Sequence, residues 1–121
     1  AVCSSSVGTA HDLNAKAIVA PSITGFTTRM LSKWRPKALI AGLSPSMTAV
    51  RQMQLYWGVK PFHAKRAEST DALLFASVEL LKEKGIVKEG EIVVATAGVV
   101  TRANRHEPVA DTNIMRVIVV E

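Results

Sequence analysis

At 121 residues, with 48% apolar and 21% charged side chains, the chain is long enough for one buried core and has the composition of a globular domain. Its single cysteine, Cys3, excludes a disulfide framework, and no apolar run approaches the ~20 residues a membrane span needs. The formal charge of +5 suits an anionic partner; with no nucleic-acid motif and few aromatics to stack bases, a small phosphorylated anion fits better than nucleic acid.

The first 13 residues read as a helix already in progress, without a start signal, so the chain is expected to begin partway into a longer polypeptide. Val2, Val7, Ala10 and Leu13 share its predicted inner face, and Asn14 ends it. Ala17-Ile-Val-Ala20 is then a short buried strand. It empties into a hydroxyl-rich turn around Gly25 and a helix opening near Arg29, which Pro36 terminates. Lys37–Gly42 forms the second strand. Ser44-Pro45 reads as N-cap and first helical residue of the next helix, whose Met47, Val50, Met53 and Trp57 form a core stripe up to Gly58. Val59–Phe62 is a brief third strand, weakened by Pro61.

The strongest helix runs from Ala72 to Lys84, with Leu74, Val78 and Leu81 inward, Leu73 and Leu80 widening the stripe, and Gly85 as its stop. Glu91–Ala95 reads as an internal strand and Met115–Val120 as the last one. The polar stretch Gly98–Asn113 between them reads as a loop. Strands alternating with helices imply right-handed βαβ units. The expected architecture is therefore an α/β, three-layer αβα domain over residues 1–121, with a mixed, mostly parallel five-stranded sheet. With no helix before it, the last strand is expected to be antiparallel and at a sheet edge.

In such sheets ligands collect beyond the carboxyl ends of the strands. The turn after the first strand offers the hydroxyls of Ser22, Thr24, Thr27 and Thr28 beside the positive end of a helix, chemistry suited to a phosphate. The same residue types also suit plain caps and turns. Arg102, Arg105 and His106, in the predicted loop, are candidate clamps over such a ligand. His11, His63 and His106 lack metal-ligand spacing, so no metal site is expected. Ser44, His63 and Asp71 lack a nucleophile-elbow pattern, so no catalytic residues are assigned.

Four segments together resemble the C-terminal domain of pyruvate kinase. They are Ala17-Ile-Val-Ala-Pro-Ser-Ile-Thr-Gly-Phe-Thr-Thr28 with Lys33-Trp-Arg-Pro36, Leu55-Tyr-Trp-Gly-Val-Lys-Pro61, Lys88-Glu-Gly-Glu-Ile-Val-Val94, and Thr112-Asn-Ile-Met-Arg-Val117. They occur in the family's order and spacing. The resemblance implies a regulatory domain attached to a catalytic barrel that moves a phosphoryl group from phosphoenolpyruvate to ADP. Magnesium and potassium are expected only in that barrel, with no cofactor in this domain, which by itself would be inactive.

The resemblance places an effector phosphate in the loop of Ser22, Thr24, Gly25, Phe26, Thr27 and Thr28, with the Val99–Thr112 loop closing over it. Phe26 stands where some animal relatives carry an arginine, and Leu73 where fructose-bisphosphate-regulated relatives often place one, so a sugar monophosphate or AMP fits as well as a bisphosphate. The resemblance further implies a cytoplasmic protein that pairs with a second copy through its last strand. A self-standing metabolite sensor of the same fold, and a small α/β enzyme acting on a phosphorylated compound, remain open at this point.

Overall fold

The computed structural model describes the backbone of residues 2–21, 25–64, 70–104 and 107–121, and the side chains of 3–21, 25–64, 71–96 and 115–121. The elements are α1 (Val2–Asp12), β1 (Ala17–Pro21), α2 (Phe26–Lys33), β2 (Leu39–Ser44), α3 (Met47–Met53), β3 (Val59–His63), α4 (Thr70–Glu83), β4 (Ile92–Asn104) and β5 (Glu107–Val119). They build one five-stranded sheet of order β3-β2-β1-β4-β5. β1 runs parallel to both β2 and β4, β2 parallel to β3, and β5 antiparallel to β4. The expected α/β architecture with its antiparallel edge strand is the observed one.

The period of two along each strand separates two cores. Ile18, Ala20, Ile40 and Val94 point to one face, where Ala10 of α1 and Leu31 of α2 cover them. Ala17, Val19, Ala41, Leu43, Val93 and Ala95 point to the other, under Leu74, Val78 and Leu81 of α4. Strands buried on both faces explain why their sequences are continuous apolar runs rather than alternating ones.

Gly42 fixes how α3 joins the first layer. A Cβ built on it would lie 2.7 Å from Met53 Sδ of α3 and 2.8 Å from Thr28 Cγ2 of α2. Both helices therefore press onto the backbone of β2 at the point where a side chain is missing.

Helix ends follow from local chemistry. Asn14 adopts φ 54°, with Asn14 N–H donating to His11 C=O (3.2 Å) and Ala15 N–H to Ala10 C=O (2.8 Å). Gly85 (φ 74°) repeats the pattern after α4, with Ile86 N–H donating to Leu81 C=O at 3.0 Å. Both are Schellman closures, which return the last carbonyls of the helix to use. After α2 the closure is partial. Arg35 N–H donates to Ser32 C=O at 3.1 Å, and the next residue, Pro36, has no N–H to give.

Several expectations are corrected. The stretch Gly98–Asn113 is no simple loop: apart from residues 105–106, which lie outside the described residues, it is strand, with Val99 paired to Asp111 and Thr101 to Val109. A two-stranded ribbon satisfies its backbone by cross-strand pairing and needs no apolar face, so polar composition concealed it. The cap of α3 is Ser46, whose hydroxyl accepts from Ala49 N–H (3.3 Å). Ser44 ends β2 instead, its hydroxyl accepting from Ser46 N–H (3.1 Å).

Helix α2 opens at Phe26, three residues before the expected start, because Gly25 turns the chain sharply enough to begin it there. Helix α3 stops at Met53, so Trp57 falls beyond it and is exposed, as is Met47; only Val50 and Met53 of that stripe are buried. On α1 the inner face is Ser6 and Ala10, with Cys3 and Val7 partly buried and Leu13 exposed. Helix α4 runs from Thr70 to Glu83, opening two residues before the expected Ala72.

Candidate functional site

The strand order makes the β1–β4 seam the topological switch point: the chain leaves β1 toward β2 on one side, while β4 lies on the other. At such a point the connections diverge, and a crevice opens beyond the carboxyl ends of the strands. The seam is short. Pairing runs from Ala17↔Val93 to Val19↔Ala95, after which β4 continues with β5 alone. At its end the buried Thr96 donates its hydroxyl to Val19 C=O at 3.4 Å. Sequence reading passed over Thr96, although one hydroxyl inside an apolar strand was the available signal.

Beyond β1 the turn enters α2 through Gly25, which sits at φ 84°, ψ 3°. This left-handed conformation is strained for other residues, and a Cβ there would also come within 3.2 Å of Met53 Cγ. The Gly25 carbonyl accepts from Arg29 N–H (3.0 Å) and from the Thr28 hydroxyl (2.7 Å), closing the first turn. The helix thereby presents its positive end to the loop after β1.

The candidate residues separate by position. Thr27 and Thr28 are buried, whereas Phe26 is 62% exposed at the mouth of the turn. Thr28 differs from the expectation of a ligand-facing hydroxyl: its Oγ1 is committed to Gly25, and its methyl faces Gly42. Ser22 and Thr24 lie outside the described residues, as do Arg105 and His106. Arg102 belongs to β4, where its backbone alone is described.

Nothing else among the described residues assembles into chemistry. Among the described residues, no group of three or more His, Cys, Asp or Glu is placed to hold a metal, and no helix is long and apolar enough to cross a membrane. His63 Nε2 lies 3.1 Å from Pro45 C=O, and Asp71 is paired with Arg116, so Ser44, His63 and Asp71 do not form a catalytic set. Among the described residues, burial pushes the Cys3 thiol above its ordinary value.

A family model of the pyruvate kinase alpha/beta domain matches residues 1–118. The chain belongs to this family. It is 40% identical over 112 residues to a pyruvate kinase of Clostridium acetobutylicum, covering 93% of this chain and 23% of that protein. It is 41% identical over 109 residues to the pyruvate kinase of Staphylococcus aureus, covering 90% of this chain and 18% of that one. The crystal structure of a Cryptosporidium parvum pyruvate kinase superimposes with a TM-score of 0.85 at 26% identity, over 99% of this chain and 22% of the other. The chain thus spans about a fifth of the length of these pyruvate kinases and corresponds to their alpha/beta domain.

Proposed function

We propose that this pyruvate kinase alpha/beta domain regulates and helps assemble an enzyme whose catalytic barrel transfers a phosphoryl group from phosphoenolpyruvate to ADP, in glycolysis. Magnesium and potassium serve that barrel. In this domain a phosphorylated effector, a sugar phosphate or AMP, sits at the β1–β4 switch point. The observation that carries the reading is the positive end of α2 opening through Gly25 just beyond the carboxyl end of β1.

Backbone N–H groups at a helix start, with hydroxyls from Ser22, Thr24 and Thr27, make charge-assisted hydrogen bonds to phosphate without a buried lysine. Thr28 keeps the turn in shape, and Phe26 flanks the mouth. The β4–β5 ribbon, rising from the same seam and carrying Arg102, is the closing element, with Arg105 and His106 as further candidate clamps. Effector bound between them favours one arrangement of the assembled enzyme and shifts its equilibrium by its differential affinity. Edge strand β5, whose Met115, Val117 and Val119 are exposed on one face, pairs with a second copy.

The test is an amide NMR titration with fructose 1,6-bisphosphate, ribose 5-phosphate, glucose 6-phosphate and AMP. Saturable shifts at Thr24, Gly25 and Thr27, with residues 102–111 responding, are expected for at least one ligand. A folded sample that responds to none reduces the turn to a helix cap. Phosphoenolpyruvate and ADP added to the isolated domain are expected to yield no pyruvate.

A further inference from the structure

Charge is divided unequally along this chain. Residues 13–67 contain nine Lys and Arg and no Asp or Glu, whereas nine of the ten acidic residues follow position 67. The fold turns this division into two surfaces. Lys33, Trp34, Arg35 and Lys37 lie at the exit of α2, and Leu55 and Trp57 lie in the turn before β3. The two segments are tied together: the Ser32 hydroxyl donates to Trp57 C=O at 2.6 Å, Ile40 N–H donates to Gly58 C=O at 3.0 Å, and the Arg35 guanidinium lies 4.7 Å from the Trp57 ring centroid.

The result is a cationic patch at the amino ends of β2 and β3, at the opposite end of the sheet from the switch-point crevice. Three large apolar side chains stand out of it: Trp34 is 54%, Leu55 84% and Trp57 49% exposed. Trp and Arg together, anchored and partly apolar, have the composition of an interface hot spot.

The opposite layer carries the counterpart. Along α4, Asp71, Phe75, Glu79 and Glu83 recur every four residues and form one exposed stripe, with Phe75 70% exposed at its centre. Asp71 is held by Arg116, which leaves Glu79 and Glu83 to flank the ring on the C-terminal side, with Lys82 turned to the Glu121 carbonyl. An acidic stripe with one aromatic anchor is what the cationic patch lacks.

We infer that the α4 stripe of one copy docks on the Trp34–Trp57 patch of another, Phe75 packing against Leu55 and the tryptophans and Glu79 and Glu83 facing Lys33, Arg35 and Lys37. The two surfaces differ and lie on opposite layers, so the contact is heterologous. Each copy retains one unused surface, and association extends in one direction. This contact uses neither the exposed Met115, Val117 and Val119 of β5 nor the effector crevice.

A mixing experiment tests it by sedimentation velocity, with one protein labelled. The variant Lys37→Glu/Leu55→Asp loses the patch and keeps the stripe; Phe75→Ala/Glu79→Lys loses the stripe and keeps the patch. The substituted side chains are exposed, so both variants are expected to keep the wild-type melting curve, and Leu55→Asp and Phe75→Ala alone replace them if either does not. Neither variant alone is expected to associate through this contact, while the mixture gains a complex containing both, weakened several-fold by raising salt from 50 to 500 mM. A mixture that sediments as its separate components overturns the inference. So does wild-type self-association that neither variant reduces. Both tryptophans of the chain lie in the patch, so a saturable blue shift of their emission on adding phosphatidylserine vesicles or oligouridylate, where the mixed variants stay apart, assigns the patch to that anion instead.

Discussion

Gly42 offers a direct measurement of how tightly α2 and α3 are set against the sheet. Its Cβ in Gly42→Ala would stand 2.7 Å from Met53 Sδ, 2.8 Å from Thr28 Cγ2 and 3.3 Å from Val59 Cγ1. The thioether end of Met53 yields easily; the Thr28 methyl does not, because its hydroxyl is bonded to Gly25 C=O at 2.7 Å. Overpacking of this kind costs about 1–3 kcal/mol. Gly42 is not among the positive-φ glycines, so alanine also recovers about 0.4–1 kcal/mol through the unfolded chain. The expected net loss is about 1–2 kcal/mol.

In urea, with m of about 1.5 kcal/mol/M, the midpoint should fall by roughly 1 M at unchanged m. The partner that gives way identifies the mechanism. Thr28→Ser removes the crowding methyl and keeps the hydroxyl, so Gly42→Ala/Thr28→Ser should be more stable than the sum of the single changes, by at least about 0.5 kcal/mol. An unchanged midpoint in Gly42→Ala, or strict additivity in the pair, would refute the packing argument.

Other predictions are smaller in scope. Ser46→Ala should cost about 1 kcal/mol by removing the cap of α3, whereas Ser44→Ala should leave that helix start intact; urea melts of the two variants check this. Asp71→Asn breaks an exposed ion pair and should change stability by less than about 1 kcal/mol, with the difference vanishing in 1 M salt. The folded thiol of Cys3 holds its proton more tightly than the unfolded one, so its contribution is complete below the ordinary value of 9.0 and is lost as pH rises through the higher folded value. Stability should therefore decline above about pH 9, less steeply in Cys3→Ser, and the native thiol should react with a disulfide reagent at pH 8 more slowly than in urea.

The parallel core was legible because β1, β2 and the first part of β4 are buried on both faces, and the helices leading into them carry recognisable stops. Asn14, Pro36 and Gly85 closed their helices for the expected reasons. The misreadings have a common physical origin. Ser44-Pro45 and Pro45-Ser46 offer equivalent cap chemistry, and only the length of β2, set by pairing through Ser44↔His63, decides between them. Trp57 kept the helical period of Met53, but a period cannot report that α3 had already ended. The β4–β5 ribbon gains its order from cross-strand pairing, which leaves no hydrophobic signature. At the candidate site the hydroxyl cluster was visible, whereas the inward turn of Thr28 was not. That turn depends on Gly25, Gly42 and Met53, residues separated in sequence and brought together only by the sheet.

The short β1–β4 seam also bears on the order in which the domain acquires its structure. The unit from β1 through β3 is built of successive crossovers between neighbours in sequence, and β4–β5 closes on itself from the Asn104↔Glu107 end. Both can be reached through comparatively short loop closures. The seam joins Val19 to Thr96 across 77 positions and adds only three paired rungs. The entropy of that long closure is repaid only when both cores form across the seam, so the seam is expected to form late in folding. Once formed, the seam lies under both cores, with Ile18, Val19, Val93 and Val94 fully buried, so its amide hydrogens would exchange only through near-global unfolding, more slowly than those of the edge strands β3 and β5.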